Sequence, residues 1–264
     1  YCFLPLYVFS GEKLLVSYLR PSRIDGAKHS WAILALLTKR LRQAWPKVKL
    51  IVRGDSGFCR WRMLNWFDRH DVGYVIGIAR NSRLNRYAGR LIRKAGRGYK
   101  QSGKKQRLFE EFRYGAGSWS YRRRIIAKAE HSSRGSNPRY LVTNLTQSPK
   151  YLYDKLYCPR GDMENQIKEQ QLDLFADRTS CHHWWPNQFR LLLSSLAYCL
   201  MQRLREIGLR GTEYARAQVG TIRLKLLKIG AVIIRNSRRI KFFLSSAYPH
   251  QHLFCQAVAR LNTS

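Results

Sequence analysis

Positive charge is the feature that most constrains this chain. Lysine and arginine number 49 while aspartate and glutamate number 16, so the 264 residues carry a net charge of +33. Repulsion among so many like charges destabilises a compact state unless a polyanion offsets it. A phosphate backbone is a natural partner, because neutralising phosphates releases condensed counterions and drives binding without regard to sequence. The charge therefore favours nucleic acid as the partner.

The apolar content of the chain argues against a chain that is disordered throughout. Apolar residues make up 45% of the chain, which is enough to bury a sizeable core. A lipid surface is the alternative partner for a basic chain, but it needs an amphipathic or spanning helix. The longest apolar runs, residues 31–37 and 191–200, fall short of the roughly 20 residues that a spanning helix needs. We therefore expect no membrane association.

The cysteines indicate neither a disulfide framework nor a zinc site. Six cysteines are scattered along the chain and none forms a CxxC pair, which is typical of reduced thiols. Cys181, His182 and His183 are adjacent, but three neighbouring side chains cannot all point at one ion. No second pair of ligands lies at a suitable spacing, so we expect no zinc here.

Apolar periodicity in the first 80 residues predicts alternating strands and helices. The first two strands follow each other through a Ser10–Gly11 turn and form an antiparallel hairpin. The later strands are separated by helices, and such crossovers imply parallel neighbours. The predicted strands are 2–9, 13–19, 48–52 and 73–79, and the predicted helices are 28–44 and 58–70.

The remaining two thirds predict a basic, β-rich segment followed by helices. Residues 80–107 are dense in basic residues, glycine and serine, which indicates a mobile lead-in. A helix at 187–207 is so apolar that it must pack against a sheet. The other predictions are strands at 108–114, 119–129 and 139–145, a helix at 149–175, a basic hairpin at 222–235 and 238–246, and a final helix at 249–262.

Asp55 follows directly on the predicted strand 48–52. A carboxylate at the carboxyl end of such a strand points into the crevice where open α/β sheets bind ligands. Gly54 and Gly57 flank it and allow close approach of a metal or a backbone. The alternative is a turn aspartate that caps the next helix. Because acids are rare in this chain, we interpret Asp55 as a candidate metal ligand.

A second polar group recurs at helical spacing. Offsets of three, four, four and three residues place Tyr157, Arg160, Glu164, Lys168 and Gln171 on one face of a helix. The alternative is a solvated face whose Glu164–Lys168 pair contributes only about 0.2–0.5 kcal/mol.

Two carboxylates from distant elements suit phosphoryl chemistry. Two divalent ions, about 3.5–4 Å apart, need such carboxylates and stabilise both the attacking and the leaving oxygen. Hard oxygen ligands suit Mg²⁺ or Mn²⁺. Together with the charge, Asp55 and Glu164 therefore predict a two-ion site that cuts a phosphodiester backbone.

Several segments carry a resemblance to one family. RGDSGF at residues 53–58, the spacing of Tyr157, Arg160 and Glu164, and residues 177–198 are similar to bacterial insertion-sequence transposases of the DDE group 1 branch, as are the opening YCFLPLYVF and residues 227–240. The resemblance covers essentially the whole chain. It implies an α/β fold with a ribonuclease H-like core that lacks its first strand, a β-rich insertion, C-terminal helices and a basic hairpin. The implied domains are 1–80 (first part of the core), 81–148 (insertion), 149–207 (helical remainder with Glu164) and 208–264 (basic hairpin and helix).

The resemblance also implies an activity and its residues. It implies metal-dependent DNA cleavage at transposon ends and strand transfer into target DNA, in the cytoplasm of a bacterium. Asp55 and Glu164 correspond to the second and third catalytic acids, which hold Mg²⁺ or Mn²⁺. Tyr157 and Arg160 belong to a signature that handles DNA near the cleaved strand. The DNA complex could hold two copies of the chain.

Two positions depart from the family pattern. The first catalytic aspartate would precede Tyr1, and Asp25 does not match it, so we expect this chain alone to bind DNA without measurable cleavage in Mg²⁺. The signature lysine is replaced by Gln171, and Lys168 one turn earlier could substitute for it. Two alternatives stay open: a non-catalytic DNA-binding remnant of a transposase, and a ribonuclease H-like nuclease without strand transfer.

Basic residues outside the signature predict further DNA contacts, with solvated faces as the alternative. Aromatic residues interleave with the basic segments, which fits backbone tracking with some base stacking. The adjacent Trp184 and Trp185, at a helix entry, are expected to pack in the core. The predicted DNA-binding residues are Tyr157, Arg160, Lys168, Arg53, Arg122, Arg123, Arg124, Arg238 and Arg239.

Overall fold

Ten β-strands occur in residues 2–263, the part of the chain that the computed structural model describes. The chain separates into a central unit, residues 22–161, and a terminal unit, formed by the residues up to Pro21 and those from Asp162 onward. The strands are β1 (Phe3–Ser10), β2 (Lys13–Pro21), β3 (Ile51–Gly54), β4 (Gly73–Ile78), β5 (Gln106–Tyr114), β6 (Arg123–Ser132), β7 (Gly135–Ser136), β8 (Arg139–Thr143), β9 (Ala231–Arg235) and β10 (Ile240–Leu244).

Nine α-helices accompany these strands in the same described residues. They are α1 (Ser30–Ala44), α2 (Trp61–Arg69), α3 (Ser82–Tyr87), α4 (Gly89–Ser102), α5 (Pro149–Tyr151), α6 (Asp162–Lys168), α7 (Trp184–Arg203), α8 (Val219–Ile222) and α9 (Gln251–Asn262). Short 3₁₀ turns are Ser56–Phe58, Cys158–Gly161 and Glu213–Arg216, and π-helical turns are Leu152–Tyr157, Glu169–Asp173, Leu204–Gly208 and Arg223–Leu227. Over residues 2–263, no helix has both the length and the apolar character needed to cross a membrane.

The central unit is built on one mixed sheet. Its strand order is β3-β4-β8-β6-β5, and β7 pairs with β6. β3 and β4 are parallel, with α2 as the crossover between them, so the parallel pairing predicted for these strands is confirmed. The β4–β8, β8–β6 and β6–β5 pairs are antiparallel.

Both faces of this sheet are covered by helices. Tyr74 and Ile76 on β4 pack with Phe67 of α2 in the larger core, and all three are almost fully buried. Val75, which points to the opposite face, packs with Leu152 from the helical segment after the sheet. Because β4 is buried on both sides, it has the near-continuous apolar sequence that predicted it.

Residues 82–102 form two helices, so the prediction of a mobile lead-in is wrong. Leu84, Ala88, Leu91 and Ala95 are buried, and their spacing of four, three and four residues is that of one helical face. Each glycine in a helix interior costs about 1 kcal/mol, which is why the composition argued against helix. The buried face packs into the core of the central unit and outweighs that cost.

In the terminal unit, α7 packs on the β1–β2 hairpin. The Leu19 N–H donates to Oε1 of Gln188 over 2.7 Å, and Nε1 of Trp184 donates to the Leu19 carbonyl over 2.8 Å. The prediction that this helix packs against a sheet is confirmed, and that sheet is the two-stranded hairpin. Trp184 is in this core as predicted, but Trp185 is 76% exposed and the prediction is wrong for it.

The C-terminal hairpin is shorter than the sequence predicted. Its strands β9 and β10 are antiparallel, and every residue in both is exposed. Residues 219–227, expected in part as strand, are helical. Val219, Ile222 and Leu226 are buried at helical spacing in a second core of this unit, which explains why the strand begins only at Ala231.

Candidate active site

Asp55 lies immediately after β3, at the carboxyl end of the parallel β3–β4 pair. Its Oδ1 accepts a hydrogen bond from the Gly57 N–H over 2.8 Å, so Asp55 caps the 3₁₀ turn that follows. The capping role considered from the sequence is therefore present. Capping does not bury the carboxylate, because Asp55 remains exposed and open to a ligand.

Tyr157 approaches the Asp55 turn across Gly77 of β4. A Cβ added to Gly77 would lie 2.8 Å from the Tyr157 hydroxyl oxygen and 2.9 Å from the backbone nitrogen of Ser56. Only a glycine leaves room for both. The sequence interpretation did not single out Gly77, although a glycine inside an apolar strand signals close approach of another group.

Two arginines flank Tyr157. The Arg160 guanidinium carbon lies 5.5 Å from the centroid of the Tyr157 ring. Arg53, exposed on β3, donates from Nη1 to the Leu156 carbonyl over 3.1 Å. The central unit thus brings Arg53, Asp55, Tyr157 and Arg160 to one end of the parallel strand pair.

Two groups next to Tyr157 stay protonated at neutral pH. Burial raises the pKa of Tyr153 to about 12, and its ring lies 5.7 Å from that of Tyr157. Burial also raises the pKa of the Cys158 thiol. Neither can therefore serve as a base at neutral pH.

The five residues predicted to share one helical face do not lie on one regular helix. Tyr157 ends a π-helical turn and Arg160 lies in a 3₁₀ turn, both in the central unit. Glu164 and Lys168 are exposed one turn apart on α6, in the terminal unit, and Gln171 lies in a π-helical turn. The single stripe depended on an unbroken 3.6-residue period, which 3₁₀ and π turns interrupt.

Asp55 in the central unit and Glu164 in the terminal unit are each a carboxylate of the type that binds a hard metal ion. Both carboxylates are exposed, and carboxylate oxygens are the ligands that Mg²⁺ and Mn²⁺ prefer. Asp25, in contrast, is engaged by Arg60, which donates to Oδ1 over 2.8 Å and to Oδ2 over 3.0 Å. Within residues 2–263, no three His, Cys, Asp or Glu side chains form a cluster that could hold an ion. Carboxylate oxygens are therefore suitable ligands for Mg²⁺ or Mn²⁺. Residues 2–263 do not bring three such ligands together.

The comparison with family models decides the relationship. Residues 1–264 match the model described as transposase DDE domain group 1. The chain belongs to this family. The resemblance drawn from the motifs is thereby confirmed, and the mixed α/β architecture is consistent with it. The comparison with curated proteins gives no match.

DDE transposases act on DNA, but the three arginines at the start of β6, Arg122 just before the strand and Arg123 and Arg124 in it, differ in their accessibility to DNA. Arg122 is exposed. Arg123 is 2% exposed and forms an ion pair with Asp68 at 3.1 Å. Arg124 pairs with Glu111 and also donates to backbone carbonyls. Contact of Arg123 with DNA does not fit this burial, so its prediction as a DNA-binding residue of the transposase domain is corrected.

Arg238 and Arg239 keep the accessibility that DNA contact requires. Both are exposed in the turn between β9 and β10 of the transposase domain. Their backbone N–H groups donate to Oδ1 of Asn236 over 3.1 and 2.8 Å. The Asn236 side chain holds the turn through these backbone N–H groups, and the two guanidinium groups are exposed.

Proposed function

We propose that this chain carries the catalytic chemistry of a transposase: metal-dependent cleavage of DNA at transposon ends, followed by attack of the freed 3′-hydroxyl on target DNA. The meeting of Asp55, Tyr157 and Arg160 at the carboxyl end of the β3–β4 pair is the observation that carries this proposal. Family membership over residues 1–264 supports it. Transposon-end and target DNA are the proposed substrates, with two copies of the chain in the complex.

The proposal includes a ribonuclease H-like core, made of residues 1–80 and 149–207. Support comes from the parallel β3–β4 pair, with a helix between its strands and an acid at its carboxyl end. Residues 81–148 would be the insertion between β4 and the segment that bears Glu164, and residues 208–264 would form the basic C-terminal part. The antiparallel strands β5, β6 and β8 fit that role.

Asp55 and Glu164 would hold Mg²⁺ or Mn²⁺. When bound, such ions stabilise the attacking and leaving oxygens of an in-line displacement. Arg160 would face a phosphate beside the cleaved bond, and the Tyr157 hydroxyl would donate to a phosphate oxygen. Lys168, exposed one turn from Glu164, would take the part of the lysine that Gln171 replaces.

Binding of Mn²⁺ by the chain in the presence of duplex DNA tests this proposal. We expect Asp55→Asn and Glu164→Gln each to weaken Mn²⁺ binding at least ~10-fold, because even the loss of a supporting group beyond the ligands costs about 10–100-fold. Asp71→Asn and Asp162→Asn are matched controls, since both acids are exposed and the charge change is the same. DNA affinity should change little in all four variants.

Cleavage of a duplex that carries the transposon ends is measured in parallel. Any Mg²⁺-dependent cut made by the wild-type chain should disappear in Asp55→Asn and Glu164→Gln and persist in the controls. Equal Mn²⁺ affinity in all variants, with DNA binding intact, would reject the two-carboxylate site and favour a non-catalytic DNA-binding protein.

A further inference from the structure

The outer face of α4 carries four cations at helical spacing. Arg90, Arg93, Lys94 and Arg97 follow the offsets of three, four and seven residues that share one helix face, and all four are exposed. At a rise of 1.5 Å per residue, the row spans about 10 Å. Neighbouring charges in the row therefore lie within one Debye length of each other, which is about 8 Å at physiological salt.

These cations line a cavity between α4 and β5. The cavity has a volume of about 530 Å³, and its lining is completed by Leu91, Phe109 and Glu110. Four cations against the single carboxylate of Glu110 leave an excess of three positive charges. A cavity with this lining favours an anion with several negative charges.

The four cations also lack protein partners. In the described part of the chain, none of them takes part in an ion pair or a side-chain hydrogen bond. Nearby cations behave differently, because Lys105 pairs with Glu130 at 3.1 Å and Arg107 pairs with Asp154. Repulsion within the α4 row is therefore left for a ligand to offset.

The aromatic ring in the lining does not form a stacking platform. The Arg107 guanidinium carbon lies 5.0 Å from the centroid of the Phe109 ring, and the Tyr153 ring lies 5.6 Å away. Proteins that bind single strands stack bases on available aromatic rings, whereas this ring is already packed. The lining also has no asparagine or glutamine that could read an adenine edge. The cavity thus suits phosphate oxygens better than bases.

We infer that the outer face of α4 binds the phosphate backbone of duplex DNA without reading its sequence. This inference rests on the proposed function for DNA as substrate, but it involves neither Asp55 nor Glu164. About 10 Å of duplex presents about three phosphates on one strand, which equals the excess charge of the cavity. A free phosphate or a mononucleotide would offset only part of that charge.

The test compares two variants that lose the same four charges from the central unit. The α4 variant combines Arg90→Gln, Arg93→Gln, Lys94→Gln and Arg97→Gln. The control combines Lys39→Gln, Arg40→Gln, Lys47→Gln and Lys49→Gln, which are exposed cations at the end of α1 and before β3. Affinity of each full 264-residue chain for a duplex of arbitrary sequence is measured by fluorescence anisotropy over a range of salt concentrations.

We expect the α4 variant to lower the slope of log K against log salt by about 2.7, which is the loss of three phosphate contacts. Its affinity at moderate salt should fall by more than tenfold, while the control slope should change by less than one. Circular dichroism checks the fold of both variants. If the α4 variant does not fold, Arg93→Gln with Arg97→Gln is used, and about half the change in slope is expected.

Three results would overturn the inference in distinguishable ways. If the salt slope changes equally in the α4 variant and the control, the effect comes from net charge and not from the position of the cations. A difference seen with a single-stranded oligonucleotide of equal length, and not with duplex, would reject the duplex assignment. If the wild-type chain binds no DNA at all, the proposed function fails and this inference fails with it.

Discussion

Two arginine-rich regions of the central unit look alike in sequence and differ in the fold. On β6, Arg123 is 2% exposed and bonded to Asp68, and Arg124 is bonded to Glu111. On α4, Arg93 and Arg97 are exposed and line a cavity whose one acid is Glu110. The difference is the supply of carboxylates from neighbouring elements. Where a neighbouring element supplies a carboxylate, as on β6, the arginine pairs with it; where none is supplied, as on α4, the arginine stays exposed.

The largest expected effect is on the β6 side of this comparison. Arg123→Met should lower the free energy of unfolding by about 3 kcal/mol, because Asp68 loses its charged partner in a largely buried pair and keeps the neutral donors Tyr121 and Asn144. Arg122→Met is the matched control, since Arg122 is exposed on the neighbouring position, and it should stay within about 0.5 kcal/mol. Urea unfolding followed by circular dichroism measures both. Similar losses of unfolding free energy in the two variants would contradict the view that a paired, buried arginine stabilises the fold more than an exposed one.

The same rule should hold in the terminal unit. Arg205 and Glu169 are 11% and 14% exposed and pair at 2.6 Å, whereas Arg203 is 64% exposed and pairs with Glu206. Arg205→Met should cost about 3 kcal/mol of unfolding free energy, at the lower end for a buried pair. Arg203→Met should cost at most about 0.5 kcal/mol. The denaturant midpoints of the two variants check this prediction. If the two midpoints coincide, the link between burial of an ion pair and its contribution to stability would hold only for β6.

A half-exposed pair should show an intermediate effect. Glu111 is 48% exposed, and its partner Arg124 keeps hydrogen bonds to the Leu145 and Gln147 carbonyls when the acid is neutralised. Glu111→Gln should therefore cost about 0.5–1 kcal/mol, the upper range for an exposed pair. Thermal unfolding measures this loss. A loss of stability as large as that of Arg123→Met would mean that the exposure of an ion pair does not determine how much it stabilises the fold.

The smallest expected effect depends on pH. Burial alone would raise the pKa of Glu130, but hydrogen bonds from Lys105 and Lys128 lower it below its ordinary value. A lowered pKa stabilises the fold above the unfolded pKa of about 4.3, and that stability is lost as pH falls through the lower folded pKa. The stability difference between the wild type and Glu130→Gln should therefore shrink below about pH 4. Unfolding measured from pH 7 to pH 3 checks this, and a difference that grows with acidity would contradict it.

Much of the central unit could be predicted from its sequence because its signals are local. The apolar run of β4, the turn after β3 and the position of Asp55 follow from neighbouring residues. The helices α3 and α4 were not predicted, because their glycines and arginines drew attention away from an apolar pattern with helical spacing. That pattern runs from Leu84 to Ala95, and its residues are buried. The structure places the motif residues Tyr157 and Arg160 on the same side of the sheet as the Asp55 turn, although the regular helix that was predicted to carry them is interrupted.

The sequence by itself determined the excess of positive charge, the scarcity of acidic residues and the family. These depend on composition and on spacing along the chain, which folding does not alter. Only the tertiary structure decided which cations meet a carboxylate and which stay exposed without one. Arg123 and Asp68 are 55 residues apart in sequence, and Gly77 meets Tyr157 from another element. Such contacts depend on how strands pair and helices pack, and no local pattern records them.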